Sequence, residues 1–149
     1  MTEKNYNAKN QACLMEIRVY NKPDMEELKA LYQSVGWTNY TEHMEMLENA
    51  YEHSLKIYGA YVNEKLAGII RVVGDGCSVI YIQDILVFPE YQRQGIGKSL
   101  INKILTEYAD VYQIMLTTDD QPKTKAFYKS AGFIAHSEIG CEGFGRYAI

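Results

Sequence analysis

Pro89-Glu90-Tyr91-Gln92-Arg93-Gln94-Gly95-Ile96-Gly97-Lys98-Ser99 joins two segments of different patterning, and its reading decides the fold. Before it, Val79, Tyr81, Gln83, Ile85 and Val87 alternate with Ile80, Ile82, Asp84 and Leu86. That run, rich in β-branched and aromatic side chains, predicts a strand buried on both faces. After it, Leu100, Ile101, Ile104, Leu105 and Tyr108 recur at helical spacing with lysines on the other side. A strand therefore passes through a tight, glycine-bearing, cationic turn straight into a helix. The N–H groups at such a helix start have no intrahelical acceptor, and Gly95 and Gly97 let a ligand approach the main chain closely. The stretch reads as a phosphate cradle; an ordinary strand–turn–helix joint with packing glycines is the rival reading.

Two common cradles are excluded. A P-loop ending in Gly97-Lys98-Ser99 would need glycine where Gln92 stands. A dinucleotide fingerprint needs three glycines and a later ribose-binding acid, and neither is evident.

The composition bounds the rest. The chain has 149 residues, 47% of them hydrophobic, enough for one domain with a substantial core. A formal net charge of -4 argues against broad nucleic-acid binding. No apolar run approaches the roughly 20 residues that span a bilayer. Met1 to Gln11 is polar and unlike a signal peptide, so the expected location is the cytoplasm. Cys13, Cys77 and Cys141 follow no paired spacing and are expected as free, inert thiols. His43, His53 and His136 form no spaced set with them, so no metal is expected.

Along the chain, residues 1–14 read as a flexible extension and 15–149 as a single domain. Met15 to Tyr20 predicts a first strand. Pro23-Asp24 opens a helix with Met25, Leu28, Leu31, Tyr32 and Val35 on one face, and Gly36 ends it. Trp37 to Tyr40 reads as a loop, with Thr41 capping a second helix that carries Met44, Leu47, Ala50 and Tyr51 inward. From Leu55 the period changes to two. Ile57 to Val62 and Leu66 to Val73 flank a short turn at Asn63-Glu64-Lys65, and Gly74-Asp75-Gly76 leads into the central strand. These strands predict an antiparallel meander. Tyr112 to Thr117 predicts a strand that the preceding helix returns to the sheet as a parallel neighbour. Pro122 sits at a helix N1 and Gly132 stops that helix. Two last strands are expected around Phe133 to Glu138 and Gly143 to Ile149.

Gln92, Gly95 and Gly97 match the Gln/Arg-x-x-Gly-x-Gly/Ala pyrophosphate loop of the GNAT superfamily of acyl-coenzyme A-dependent N-acetyltransferases, after a strand end Leu86-Val87-Phe88-Pro89-Glu90-Tyr91. Phe127-Tyr128-Lys129-Ser130-Ala131-Gly132-Phe133 resembles the Phe-Tyr-x-x-x-Gly-Phe segment that closes the cofactor site in the same enzymes. The resemblance extends from about Met15 to Ile149. It implies an α/β (α+β) GNAT fold: a mixed, mostly antiparallel central sheet with a splayed parallel strand pair, flanked by about four helices. It also implies transfer of an acetyl group from acetyl-CoA, the donor cosubstrate, to a primary amine of a small molecule in a ternary complex.

The same resemblance assigns residues. The pyrophosphate would sit on the amides of Arg93, Gln94, Gly95, Ile96, Gly97, Lys98 and Ser99, with Gln92 bracing the loop. The amides of Ile85, Leu86 and Val87 would pair with the pantetheine arm, one of them also bonding the thioester oxygen. Phe127 and Gln121 would complete the coenzyme site, Gln121 standing where the family commonly has Asn. Tyr128 matches the tyrosine that protonates the departing thiolate; a phenol of pKa ≈ 10 gives a proton to a thiolate of pKa ≈ 8.5 only slightly uphill. Trp37 and Tyr40 would line the acceptor pocket, core packing being equally open for Trp37.

The base is open. Family members often place Glu or His at the positions of Tyr81 and Gln83, and this chain has neither there. Either a water held by Gln83 and Tyr81 takes the proton, or a glutamate of the first two helices does. Asp84 is expected to be structural, because alternation turns it to the face opposite Gln83 unless a bulge intervenes. Rival functions are a protein or peptide N-acetyltransferase and a non-catalytic acyl-CoA sensor. A homodimer paired through the C-terminal strands is an expectation by analogy.

Overall fold

The computed structural model describes residues 14–148. The expected extension up to Cys13 and the terminal Ile149 lie outside the described residues. The described chain separates into two compact units, one ending at Met115 and the other beginning at Leu116.

The first unit carries β1 (Met15–Val19), α1 (Met25–Ser34), α2 (Thr38–Thr41), α3 (Met44–Glu52), β2 (Lys56–Val62), β3 (Lys65–Gly74), β4 (Val79–Val87), a 3-10 turn at Pro89–Tyr91, α4 (Ile96–Glu107) and β5 (Gln113–Leu116), which ends one residue past it. The sheet order is β1-β2-β3-β4-β5. The first four strands run antiparallel in sequence order. Asn63 and Glu64 sit at φ 49° and 66°, the left-handed pair that a tight hairpin between β2 and β3 requires. At the start of β5, the Tyr112 and Gln113 amides donate to the Cys77 and Ser78 carbonyls at 3.2 Å each. Numbers rise together on both segments, so β5 runs parallel to β4, with α4 as the crossover.

Local chemistry explains the helices. Asp24 caps α1 by accepting from the Glu26 and Glu27 amides, and Leu28, Leu31 and Tyr32 are fully buried below it. With Leu47 and Tyr51 of α3 they form a core against Ile57, Leu66, Ile69 and Leu86 on one sheet face. The amphipathic α4 lies against β2, β3 and β4, burying Ile96, Leu100, Ile101 and Ile104. Tyr58, next along β2 from Ile57, points the other way and donates to Glu107 of α4. The sheet is thus covered on both faces.

Two bulges break the strand register. One lies on β3: Ala60 pairs with Gly68 but Tyr61 pairs with Leu66, so Ala67 is an extra residue. The other lies on β4: Arg71 pairs with Asp84 but Val72 pairs with Ile82, so Gln83 is an extra residue. Ile80 and Ile82 therefore face α4, while Asp84 and Leu86 face α1 and α3. The bulge that would alter the alternation of Asp84 and Gln83 is thus present, and through it Tyr81 and Asp84 share a face.

Two further expectations change. Residues 38–41 are a one-turn helix rather than a loop, and α3 begins at Met44 with His43 ahead of it. The last two strands do not form: His136–Ile139 is a 3-10 turn and residues 140–148 carry no regular element. Gly140, Gly143 and Gly145 give that tail no cross-strand side chains, and Phe144 is 96% exposed. In the second unit, α5 (Pro122–Ser130) starts on Pro122 as its sequence implies. Cys77 and Cys141 are exposed free thiols, whereas Cys13 lies outside the described residues. No helix among the described residues is long and apolar enough to cross a membrane.

β3 and β4 approach closely at Gly68: a Cβ there would lie 2.5 Å from the Leu86 carbonyl oxygen. Gly68→Ala must push the end of β4 away and is expected to destabilise the fold by about 1–3 kcal/mol, read in a denaturant melt. An unchanged midpoint would refute the tight approach.

Candidate active site

The turn between β4 and α4 is held from several sides. Ile96 is 3% exposed and anchors the helix start in the core. Gly95 caps the helix at φ 80°, and Arg93 sits at φ 63°, a conformation that is strained for a residue with a Cβ. Left-handed residues separated by one position turn successive N–H groups toward a common concavity. The Gln92 side-chain amide donates to the Val87 carbonyl at 3.0 Å, and that of Gln94 donates to the Glu90 carbonyl at 3.3 Å. Gly95, Ile96, Gly97 and Lys98 are the positions whose amides have no intrahelical acceptor. The Ser99 amide and hydroxyl both donate to the Gly95 carbonyl, at 3.0 and 2.9 Å. Arg93 and Lys98 are exposed beside these amides. The arrangement suits an anion with several oxygens.

Strand alternation sorts the other expected donor-side amides. Phe88 donates to the Ala67 carbonyl of β3 at 2.8 Å, so Leu86, two residues earlier, also turns its amide to β3. Ile85 and Val87 turn theirs away from β3. The amides of Ile85 and Val87, rather than that of Leu86, thus lie on the side of β4 away from β3.

Across the sheet from α4, aromatic rings gather over the bulge. Trp37 stacks on Tyr40 with centroids 6.0 Å apart, and Tyr40 lies 5.1 Å from Tyr32. Gln83 donates its side-chain amide to the Tyr40 hydroxyl at 3.3 Å. The structure thus brings Trp37, Tyr40 and Gln83 together, with Tyr81 half-buried on the same strand. Trp37 remains 37% exposed and so presents a face to solvent rather than filling the core.

Beneath them lies a polar network that strand alternation conceals. Asp84 Oδ2 accepts from Arg71 Nε at 2.6 Å and from the Tyr32 hydroxyl at 2.7 Å. The Tyr32 and Tyr51 hydroxyls are 3.1 Å apart, and Arg71 Nη1 donates to Ser54 at 3.3 Å. Arg71 and Asp84 are buried, at 4% and 1% exposure. Burial, with the nearby Tyr51 and Asp84 groups, pushes the Tyr32 phenol far above its usual range, and burial likewise raises Tyr51 and Tyr40. These phenols stay protonated; Tyr32 donates to Asp84, and Tyr40 accepts from Gln83. The signal in the sequence that points to the network is Arg71 itself, a charge inside the apolar run Leu66–Val73.

The second unit holds the remaining expected residues. Tyr128 lies between Phe127 and Phe133, with ring centroids at 5.1 and 5.9 Å. The Phe133 amide donates to the Tyr128 carbonyl at 3.1 Å, closing the end of α5. Burial raises the Tyr128 phenol above its ordinary value, partly offset by a hydrogen bond with Thr118. Gln121 is exposed at the α5 N-cap, its amide donating to Asp119 at 3.2 Å. No cluster of His, Cys, Asp or Glu able to hold a metal occurs among the described residues.

A five-stranded mixed sheet whose fourth strand feeds a glycine-bearing helix start is a framework shared with known acetyltransferases. A model of the acetyltransferase (GNAT) domain matches residues 21–145. The chain belongs to the GNAT acetyltransferase family. A solved GNAT-family acetyltransferase from Streptococcus pneumoniae TIGR4 is 42% identical with a TM-score of 0.82, covering 90% of this chain and 98% of that one. A soybean (Glycine max) protein named histone acetyltransferase TAP1 is 36% identical over 135 residues, 83% of this chain and 57% of its own length. A Prochlorococcus marinus N-acetyltransferase described as ycf52-like is 31% identical over 116 residues, 74% of this chain and 62% of its own. The chain thus spans about three fifths of the length of these curated relatives. An aminoglycoside acetyltransferase, AAC(6')-Iy with a bisubstrate analogue, shares the fold at 19% identity and a TM-score of 0.68.

The strained Arg93 yields a test with two opposite signs. Arg93→Gly is expected to raise stability by roughly 0.5–1 kcal/mol, the relief of left-handed strain less the entropy of an added glycine. It should weaken acetyl-CoA binding about tenfold by removing a charge-assisted donor. Thermal melts and titration calorimetry read the two effects separately.

Proposed function

We propose that this domain moves an acetyl group from acetyl-CoA directly to a primary amine of a small molecule. The observation that carries the reading is the joint placement of an anion cradle on α4 and an aromatic acceptor surface above the β4 bulge, one on each side of the same strand. Acetyl-CoA would supply an activated thioester. The amides of Gly95 to Lys98, with Arg93 and Lys98, would hold its pyrophosphate. The Ile85 or Val87 amide would donate to the carbonyl oxygen as negative charge develops there. Gln83 and Tyr81 would orient the amine, while Trp37 and Tyr40 would cover its apolar body. Phe127 and Gln121 would contact the coenzyme. Tyr128 would return a proton to the departing sulfur, and its burial favours this role by keeping the phenol protonated.

The second reading is transfer to a protein amine, supported by the 36% identity to the soybean protein named as a histone acetyltransferase. A small molecule is preferred because the aromatic cluster of Trp37, Tyr40 and Tyr32 offers a compact surface rather than a row of peptide-binding groups.

Titration calorimetry with acetyl-CoA at tens of micromolar protein should give saturable heat; none would sink the donor assignment. A panel of small amines and lysine peptides, scored by free-thiol release, then separates the two acceptors, and binding without any turnover would mark a sensor. Tyr128→Phe should lower kcat by about 10²-fold with little change in acetyl-CoA affinity. Because the Tyr128 phenol is raised, the wild type should lose no donor form below about pH 10. A Phe variant with unchanged kcat would remove Tyr128 from the chemistry.

A further inference from the structure

Gln83, the extra residue of the β4 bulge, gives its side-chain nitrogen to the Tyr40 hydroxyl oxygen at 3.3 Å, a bond that joins α2 to the sheet. We propose that Tyr40 is a positioning residue acting through Gln83: its hydroxyl holds the Gln83 nitrogen, so that Gln83 Oε1 is presented to an N–H of the acceptor amine. The assignment rests on the acetyltransferase reading above and gives Tyr40 a task beyond covering the acceptor.

The chemistry of the amide calls for such a holder. A primary carboxamide accepts at one end and donates at the other, and the two ends have nearly the same shape. An amide free to turn over would present NH2 to the acceptor as readily as oxygen. That NH2 would bond the nitrogen lone pair that has to attack the thioester, and so hold the amine in an unreactive pose. A bond at Nε2 removes the choice, since the planar group then carries Oε1 on the far side of its carbon from the Tyr40 hydroxyl. Gln83 is exposed, so a ligand can reach it.

The surroundings set the hydroxyl to accept. A phenol can donate or accept, and only the second fixes the amide this way round. Burial and then the Asp84 charge raise the Tyr40 phenol, so the carboxylate lies near enough to act on it; Arg71 opposes this more weakly. Asp84 Oδ1 has no hydrogen-bond partner, and the field of a buried carboxylate draws a neighbouring O–H hydrogen toward itself. With its hydrogen turned toward Asp84, the Tyr40 oxygen offers its lone pairs to Gln83. The ring is held in place as well. Tyr40 packs on Tyr32 and Trp37, with centroids 5.1 and 6.0 Å away, and Tyr32 is anchored by its bond to Asp84.

A neutral oxygen suits the task. An ionised carboxylate beside the acceptor would favour its ammonium, the form without a lone pair. An amide oxygen accepts one N–H and adds no charge that would favour the ammonium. No proton moves to Gln83 or to Tyr40; one N–H is held, and the lone pair is left pointing away from the amide. The bulge gives Gln83 this freedom of direction, since no residue of β3 stands opposite it.

The test measures kcat and KM separately for the amine found by the thiol-release panel. Tyr40→Phe keeps the ring and its packing and removes only the hydroxyl. It should lower kcat about 3- to 10-fold, the range for one neutral hydrogen bond, with KM and acetyl-CoA affinity within about twofold of wild type. Gln83→Met removes the amide that Tyr40 orients, so in that background Tyr40→Phe should change kcat by less than about twofold. A Tyr40 hydroxyl that only shapes the pocket would instead raise KM, and its loss would add to that of Gln83→Met. Either result, or a Tyr40→Phe variant with the wild-type kcat, overturns the assignment while the acetyltransferase reading stands. A wild type that binds acetyl-CoA but never releases thiol with any amine overturns both.

Discussion

Arg71 and Asp84 form the contact on which the two layers of the first unit depend. Taking both charges out of water is expensive, and a pair at 2.6 Å offsets that loss only with further bonds in good geometry. Tyr32 supplies one such bond from α1, Tyr51 supports Tyr32 from α3, and Ser54 receives Arg71 beyond the end of α3. One carboxylate therefore ties β3 and β4 to the helical layer. Apolar side chains of equal volume could hold these layers as firmly, but dispersion has no direction. A hydrogen-bonded pair fixes which residue of β4 faces the helices, and so it fixes the bulge at Gln83.

The bulge has consequences along the whole strand. On the side before it, Ile80 and Ile82 pack toward α4; on the side after it, Asp84 and Leu86 pack toward α1 and α3. Without the extra residue, Asp84 would lie among the α4 contacts, an apolar layer with Leu100, Ile101 and Ile104. An unpaired carboxylate there would be untenable. The same shift lets Gln83 reach Tyr40. A local irregularity in one strand thus creates the polar floor and the aromatic rim together.

Much of the architecture is legible in the sequence because it rests on local chemistry. Asp24 before α1, Pro122 at the start of α5, the Asn63-Glu64 turn and the apolar stripe of α4 each carry their own cause within a few residues. The anion cradle is legible for the same reason: helix-start amides and glycines need no partner from elsewhere in the chain. The bulge is not legible, since register is a relation between two strands and a period of two looks alike on either side of it. The short α2 escapes because four residues give too little periodicity to read. The tail misleads in the other direction, as its apolar residues suggest strands that its glycines leave without cross-strand packing.

This difference in legibility has a physical origin in how the two halves of the site are built. On the proposed reading the donor side would be made mainly of backbone: amides of α4 and of Ile85 and Val87, aimed by helix geometry and strand alternation. Side chains can change around such a site with little effect, provided that the left-handed residues Arg93 and Gly95 keep their conformation. The acceptor side is made of side chains drawn from α1, α2, α3, β3 and β4, and its shape depends on a bulge held by one ion pair. A substitution in any of these elements would alter the aromatic cluster without touching the start of α4. Trp37 and Tyr40 are the most adjustable members, since they border a single helical turn whose N-cap makes no side-chain hydrogen bond. A sheet that would hold the donor with its main chain is free to present different acceptor surfaces on the opposite face, so on the proposed reading specificity would be set where the fold is least constrained.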